Sequence, residues 1–402
     1  MALLPVPDAL ARVLEGVEPL PAERVPLAQA EGRVLAHDLS ARRTQPPENV
    51  SAMDGYAVRG AEVAHAPAGF RVVGEIAAGR PLGQPVRPGE AVRIFTGGVL
   101  PEGTDTVVIQ EHTTRDGERV VVNKATPTGK NVRVAGLDFR QGDLRLKKGR
   151  HLTGRDVSLA AAMNHASVPV HRRPKVAIVA TGDELVPPGT EPGPGQIVYS
   201  NVFTLAAVAR RAGAEVIDLG VLPDRLEDTV AGLRRARDLS ADVLVTAGGA
   251  SVGDYDLVQP ALAAEGVTPS FWKIAMRPGK PMMFGHLKGM RVLGLPGNPV
   301  SAYVCSFLFV APLIRKLTGR SDLTPPVEQG VLGRDLPQND EREEYMRATL
   351  ALRDGTWVAT PFPNQDSSML VPLAAADCLV VRERHAPAAP AGSPCQFVKL
   401  DD

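Results

Sequence analysis

Three stretches of this 402-residue chain place small, acidic and hydroxyl residues directly after short apolar runs. VAIVA (176–180) leads into Thr181-Gly182-Asp183-Glu184-Leu185. DVLVTA (242–247) leads into Gly248-Gly249-Ala250-Ser251-Val252-Gly253-Asp254-Tyr255-Asp256. RVLGL (291–295) leads into Pro296-Gly297-Asn298-Pro299-Val300-Ser301. In open α/β sheets, ligands bind beyond the carboxyl ends of the strands, where backbone N–H groups favour anions. Each loop alone has a plain structural reading. Gly-Gly is a turn, and Asn298-Pro299 starts a helix, with Asn298 as its N-cap and Pro299 at its first position. Convergence of three such loops on one sheet edge is what points to a site. None of them has the Walker or dinucleotide spacing, which sets aside ATPase and dehydrogenase chemistry.

Two of the loops carry carboxylates, Asp183 with Glu184 and Asp254 with Asp256. Acids two apart in an extended loop can both approach a hard cation, and Mg²⁺ takes one or two protein carboxylates plus phosphate oxygens. Asp254, just ahead of a helix, reads equally as a helix cap; Asp256 reads as a ligand or as a solvated acid. Opposite charge comes from Phe271-Trp272-Lys273-Ile274-Ala275-Met276-Arg277-Pro278-Gly279-Lys280-Pro281, whose cations suit phosphate or an oxyanion. Its prolines and glycine make it stiff, which favours a preorganised site over a merely solvated basic loop. Asn49 to Ala57, and Ser367-Ser368 after Asn364-Gln365-Asp366, are compact polar turns that stay ambiguous on chemistry alone. No HExxH and no GxSxG occurs, so His-based zinc hydrolysis and serine hydrolysis are disfavoured.

The elements that must hold these loops read as α/β. The apolar runs 176–180, 215–221, 242–247 and 291–295 suit strands buried on both faces, and helical stretches beginning at Asn201, Leu226 and Leu257 separate them. This alternation predicts a parallel sheet with helices on both faces. Upstream, GYAVRG, FRVVGEI, EAVRIFTGG and DTVVIQEHTTRDGERVVVN are β-rich, with a type I′ hairpin turn expected at Asp116-Gly117. Thr153 and Asp156 form a capping-box pattern ahead of an Ala-rich helix. After Thr324 the chain turns β again, with a hairpin around Asp354-Gly355. The division expected is a helical linker domain (1–43 and 143–173), an inserted β domain (44–142), an α/β domain (174–322) and a C-terminal β domain (323–402).

Composition narrows the function further. Lys+Arg and Asp+Glu are both 45 and aromatics make up 4%, which argues against nucleic acid and anionic membranes as partners. Cys305, Cys378 and Cys395 include no CxxC pair, so neither a disulfide scaffold nor a Cys-rich zinc site is expected. The first residues lack a basic stretch before an apolar one, unlike a signal peptide. The uncharged run from Gly294 to Ile314 is broken by Pro296, Asn298, Pro299 and Ser301, and reads as a buried helix behind a loop. These features lead us to expect a soluble cytoplasmic protein.

Taken together, SAMDGYA (51–57), IFTGG (94–98), TGDEL (181–185), GGASVGDYD (248–256), FWKIAMRPGKP (271–281) and GLPGNPVSA (294–302) resemble the MoeA family, the molybdopterin molybdenumtransferases, whose eukaryotic relative is the C-terminal part of gephyrin. The motifs occur in family order and span essentially the whole chain. The resemblance implies the last step of molybdenum cofactor assembly: cleavage of adenylylated molybdopterin with a divalent cation, usually Mg²⁺, insertion of molybdate at the dithiolene, and release of AMP. It implies a molybdopterin-binding three-layer α/β domain, an inserted β domain, a helical linker and a C-terminal β-barrel. It also implies an elongated homodimer in which the SAMDGYA loop of one subunit faces the α/β cleft of the other, and substrate handed over by a MogA-like adenylyltransferase.

By motif position, Asp54, Glu184, Asp224 and Asp256 are the implied catalytic acids, and Glu184, Asp254 and Asp256 the implied metal ligands. Thr96, Lys273, Arg277 and Lys280 match phosphate or molybdate contacts. Thr181, Gly182, Asp183, Gly248, Gly249, Ser251, Gly253, Pro296, Gly297, Asn298, Pro299 and Ser301 would hold the pterin phosphate, with Ser367 or Ser368 adding a contact from the last domain. Arg277 stands where many relatives have Lys, which keeps the charge but removes any role for a neutral amine. Ala250 replaces the commoner Val of GGVSVG. A MogA-like adenylyltransferase and a gephyrin-like scaffold are the competing readings. The SAMDGYA segment and the C-terminal barrel are superfluous to the first. The second would leave clustered acids without a ligand to offset their repulsion.

Overall fold

The computed structural model describes residues 3–248, 257–267 and 271–400. Contacts divide it into two compact units, one made of Arg24–Glu31 and His37–Pro169, the other of the remaining described residues.

The first unit is built on a mixed sheet of strands in the order Thr106–Ile109, Gly55–Val58, Glu90–Ile94, Ala68–Ile76, Arg119–Val122, Thr113–Asp116. Only the Ala68–Ile76 and Glu90–Ile94 pair is parallel. Its two faces bury separate clusters, Tyr56, Val58, Phe70 and Val120 on one side and Ala57, Ile76, Val92 and Val107 on the other. The hairpin at Asp116 forms, but Asp116 pairs with Arg119, so the central residues are Gly117 and Glu118. Of these only Gly117 has positive φ, at 56°, so the type I′ expectation fails by one residue. Helix Gly154–Ala162 starts as expected: the Thr153 N–H and hydroxyl donate to the Asp156 carboxylate at 2.9 and 2.8 Å.

In the second unit, a sheet runs in the order Glu215–Leu222, Lys175–Thr181, Val243–Ala247, Met290–Leu295, Pro281–Leu287, Phe271–Lys273. The first four strands are parallel, as their apolar runs predict. The last two are antiparallel additions that the sequence pattern did not announce. Strand alternation sorts the core. Val176, Ile178 and Ala180 join Val243, Val245 and Leu293 against helix Asn201–Arg211 and the C-terminal helices, while Ala177 and Val179 join Leu244 and Val292 against helices Leu226–Asp238 and Val258–Ala264. Both faces of the three inner strands are therefore buried, which is why they carry no polar alternation. The edge strand Glu215–Leu222, expected to be buried on both faces, stays half-exposed with Glu215 and Asp218 open, because it has a neighbour on one side only. Helix Val6–Leu14 buries Val6, Ala9 and Val13 in the first of these clusters.

The apolar run after Leu295 becomes a core helix, Pro299–Leu317, with a π-helical turn at Ser306–Val310. It is long and apolar enough to cross a membrane, yet 78% of it is buried inside the fold. Beyond it, strands Val327–Leu332, Glu343–Arg353, Thr356–Pro361, Cys378–Arg382 and Pro394–Lys399 close into a barrel, because Glu343–Arg353 pairs on both sides. Asp354 and Gly355 make its tightest hairpin with φ of 49° and 77°, the pair of positive values that a type I′ turn needs. All three cysteines are buried, and burial pushes the Cys305 and Cys378 thiols up to about 12, so neither is a ready nucleophile.

Candidate active site

The strands Lys175–Thr181, Val243–Ala247 and Met290–Leu295 end level, with Ala180 opposite Ala247 and Ala247 opposite Leu295. Their loops therefore leave the sheet side by side. Gly248 is the point of contact. Its N–H donates to the Leu295 carbonyl at 3.1 Å, its φ is +99°, and a Cβ there would stand 2.9 Å from the Thr181 carbonyl oxygen. From the third loop, a Cβ on Gly297 would lie 3.8 Å from the Gly248 Cα. Glycine is required here because three backbones meet at that point. Above them opens a cavity of about 790 Å³ whose wall includes Thr181, Glu184, Asp224, Gly248, Gly297, Asn298 and Ser368.

Carboxylates gather at one end of this cavity. Asp224 and Glu184 line it, and the Asp224 N–H donates to the Asp183 carboxylate at 3.2 Å. Burial holds the Asp224 carboxyl above the usual range, opposed by a hydrogen bond from the Asp183 backbone and reinforced by the charges of Asp183 and Glu184. At Gly182, with φ +153°, a Cβ would come within 2.6 Å of the Glu184 carboxylate, so the glycine makes room for that side chain to fold back. Among the described residues no group of three or more His, Cys, Asp or Glu forms a metal site by itself. Among the described residues, the donor set of two cavity carboxylates, Glu184 and Asp224, fits a hard cation that completes its shell with phosphate oxygens and water. Gly249, Ser251, Gly253, Asp254 and Asp256 lie outside the described residues.

Asn298 occupies the N-cap position of helix Pro299–Cys305, but its side chain does not cap. It donates instead to the Ser367 hydroxyl at 3.0 Å, and the Val300 N–H is taken by the Ser367 carbonyl at 3.0 Å. A loop from the barrel thus closes the helix end and brings Ser368 to the cavity. Pro296 and Pro299 line the same wall, and Ser301 is buried one turn into the helix.

Holding that loop is Arg347, which the sequence reading did not single out. It is 1% exposed, and its guanidinium donates to the carbonyls of Met369 at 2.8 Å and Asp366 at 3.0 Å and to Gln365 Oε1 at 3.3 Å. Gln365 answers by donating to the Arg347 carbonyl at 3.0 Å. Asp366 accepts from the Ser368 hydroxyl and N–H at 2.6 and 2.8 Å, bonds that hold its carboxyl below the usual range. A second missed residue, Asn201, donates to the Gly297 carbonyl at 2.7 Å. Only its position at the start of a predicted helix hinted at it.

The basic segment is divided between tasks. Met276–Arg277 is a short strand beside Glu343–Arg353, and Arg277 pairs with Glu344 at 2.8 Å and Asp340 at 3.4 Å. Its guanidinium is thus paired with acids of the barrel segment while 41% of the side chain stays exposed. Lys273 is half-buried and Lys280 exposed, next to Pro281 in the cavity wall.

In the other unit, Asp54 sits on its own tight turn. The Thr96 N–H and hydroxyl both donate to one carboxylate oxygen at 2.8 Å. These bonds, helped by the Arg93 charge, hold Asp54 below the usual carboxylate range. Arg93 lies 4.7 Å from the Phe95 ring centre and 5.3 Å from that of Tyr56, and donates to the Gly55 carbonyl at 3.2 Å. Gly55 cannot be replaced without a shift: a Cβ would stand 1.9 Å from the Val108 carbonyl oxygen.

Comparison with known proteins covers the whole chain. A model described as the MoeA N-terminal region (domain I and II) matches residues 4–164, a probable molybdopterin binding domain matches 177–316, and the MoeA C-terminal region (domain IV) matches 329–400. A molybdopterin molybdenumtransferase of Nostoc sp. is 40% identical over 344 residues, 83% of this chain and 78% of that one. One from Haemophilus influenzae is 34% identical over 387 residues, 95% of each. Among solved structures, a molybdopterin biosynthesis MoeA protein from Pyrococcus horikoshii superposes with a TM-score of 0.86 at 29% identity, covering 100% of both chains.

Proposed function

This chain belongs to the MoeA family of molybdopterin molybdenumtransferases, enzymes of the molybdenum-insertion step of cofactor biosynthesis, and we propose that its substrate is adenylylated molybdopterin, cleaved at the phosphoanhydride with release of AMP as molybdate is bound at the dithiolene. The observation that carries this reading is the meeting of Glu184 and Asp224 on the wall of one cavity beside the glycine-lined loop ends, with the Asp183 carboxylate accepting the Asp224 N–H behind them. Three acids held together, one with its carboxyl pushed up, are costly without a cation. Glycines at 248 and 297 allow a phosphate to approach the backbone as closely as the anhydride requires.

Glu184 and Asp224 would hold a divalent cation, Mg²⁺ first, with the acids at 254 and 256 as further ligands. When bound, such an ion neutralises charge on the phosphate oxygens. Thr181 and the 296–299 loop position the phosphates, and Asn298 and Ser367, locked to each other, fix the loop's height above the sheet. Lys273 and Lys280 supply positive charge for molybdate. Asp54, kept ionised by Thr96, serves as a catalytic carboxylate delivered by a second subunit, so the working form is a homodimer. The four-domain division, a cytoplasmic location and supply of substrate by a MogA-like adenylyltransferase belong to the same reading.

The test is to incubate the protein with adenylylated molybdopterin, Mg²⁺ and molybdate, and to follow AMP. Metal-dependent, molybdate-stimulated release is expected. Consumption of ATP with molybdopterin would replace the reading by an adenylyltransferase, and binding without turnover would replace it by a scaffold.

A further inference from the structure

The cavity at the strand ends has two chemically different halves. Opposite in character to the acidic half is an apolar strip formed by Leu185, Ile197, Val198 and Tyr199, with Leu370 also on the wall. These side chains are unusually open for their size: Ile197 is 56% exposed, Val198 40% and Leu370 38%. Phe203, itself 56% exposed, stacks on Tyr199 with ring centres 5.8 Å apart and planes 9° from parallel. Single exposed apolar residues are ordinary, whereas a contiguous group at a cavity mouth marks a surface that a ligand covers.

Backbone bonds fasten this strip to the polar half. The Ile197 N–H donates to the Glu184 carbonyl at 2.8 Å and the Tyr199 N–H to the Val186 carbonyl at 3.0 Å. Two residues on, Asn201 holds the Gly297 carbonyl. Segment 197–201 therefore runs from the carboxylate loop to the third glycine loop. A ligand with phosphates at those loops meets a rigid apolar wall in the same cavity, and the flat Tyr199–Phe203 pair suits a flat partner.

We infer that the strip seats the fused-ring nitrogen heterocycle of the substrate, stacked beside Tyr199 with its phosphates directed to the Glu184 and Asp224 end. This rests on the transferase reading, whose substrate carries two such rings, adenine and pterin. The chemistry of the wall is common to both, and binding measurements separate them.

The experiment is calorimetric titration of AMP, ribose 5-phosphate and molybdopterin into wild-type protein, Tyr199→Ala and Tyr199→Phe. Loss of a base-stacking aromatic weakens binding by about tenfold or more. Tyr199→Ala is expected to weaken AMP or molybdopterin by that factor, to leave ribose 5-phosphate unchanged, and to be rescued by Tyr199→Phe. Loss confined to AMP places adenine on the wall; loss confined to molybdopterin places the pterin there. Unchanged affinities for both, or equal loss for ribose 5-phosphate, overturn the inference. If wild-type protein neither binds molybdopterin nor releases AMP from its adenylylated form, the transferase reading itself fails. Normal wild-type turnover with unaltered Tyr199→Ala binding removes only the stacking.

Discussion

Replacing Arg347 by Met keeps the bulk of a side chain that is 1% exposed and removes its guanidinium. Three carbonyls then lose a donor, those of Met369, Asp366 and, at 3.5 Å, Asn364, while Gln365 Oε1 keeps the Arg347 backbone N–H at 3.0 Å. An orphaned buried acceptor costs about 1–3 kcal/mol. The loop backbone is partly reachable by water, so the low end applies, and the sum is about 3 kcal/mol. For a unit of this size that lowers the melting temperature by about 6–12 °C. The functional consequence follows from what the loop holds. Without Arg347, Ser367 no longer closes the helix end at Val300 or accepts from Asn298, and Ser368 and Leu370 leave the cavity wall. The same 3 kcal/mol against docking is roughly a hundredfold in the loop's equilibrium. KM for the adenylylated substrate should therefore rise by at least tenfold, with a smaller change in kcat. Arg347→Lys, which supplies a point charge but no planar fork, should recover part of the melting temperature and less of KM. Thermal melts followed by circular dichroism, with steady-state AMP release, decide it. An Arg347→Met protein melting within about 2 °C of wild type, with unchanged KM, would refute the view that this guanidinium positions the loop.

Gly248→Ala puts a Cβ 2.9 Å from the Thr181 carbonyl at a φ of +99°, a strain of about 1–3 kcal/mol; phosphate-bearing ligands should bind more weakly by calorimetry, and wild-type affinity would show that the three loops do not meet as described. Gly55→Ala meets the Val108 carbonyl at 1.9 Å, which the strand pair cannot absorb, so the first unit should melt earlier or become protease-sensitive. Thr96→Val removes the hydroxyl bond to Asp54 but keeps the backbone one. Asp54 is an acid with a depressed native value, so its stabilising contribution is present above the ordinary Asp range and is lost as pH falls through the native value. The variant should move that native value upward; a carboxyl-carbon NMR titration that finds it unmoved would deny the bond.

The parallel core was legible because Val176, Ile178 and Ala180 and their neighbours Ala177 and Val179 are all apolar, and only a strand buried on both faces tolerates that. Strand Pro281–Leu287 was not, for two reasons. It begins in a Gly- and Pro-dense segment that reads as a stiff loop, and it turns into Met290–Leu295 through Lys288 and Gly289, with φ of 48° and 91°. A lysine in the left-handed region gives none of the Asn-Gly or Asp-Gly signal. The glycine loops of the site could be placed because strand ends locate them. Arg347 could not, since its partners Gln365, Asp366 and Met369 are far along the chain and a charged residue in an alternating strand reads as solvent-facing. The ion pairs of Arg277 were hidden for the same reason: its acids at 340 and 344 become neighbours only when the barrel forms.

Asp224 separates an enzyme from a scaffold that keeps the same fold. Its raised carboxyl means that the native state binds this proton more tightly than the unfolded chain does. Stability is therefore lost as pH rises from the ordinary Asp range through the higher native value, and above that the ionised group opposes folding. The causes are burial and the charges of Asp183 and Glu184. Asp224→Asn removes the charge, keeps an oxygen able to accept the Asp183 backbone bond, and leaves the N–H that donates to Asp183. In metal-free buffer at pH 7 the variant should melt above wild type, and the gap should close as pH falls below the ordinary Asp range. Mg²⁺ should raise the melting temperature of wild type and do less for the variant, because a ligand that binds only the native state adds stability through its affinity. AMP release should fall in the variant despite its greater stability, a combination that a fold retained for scaffolding has no reason to produce. A variant that melts below wild type without metal would show that the three acids do not repel one another as this geometry requires.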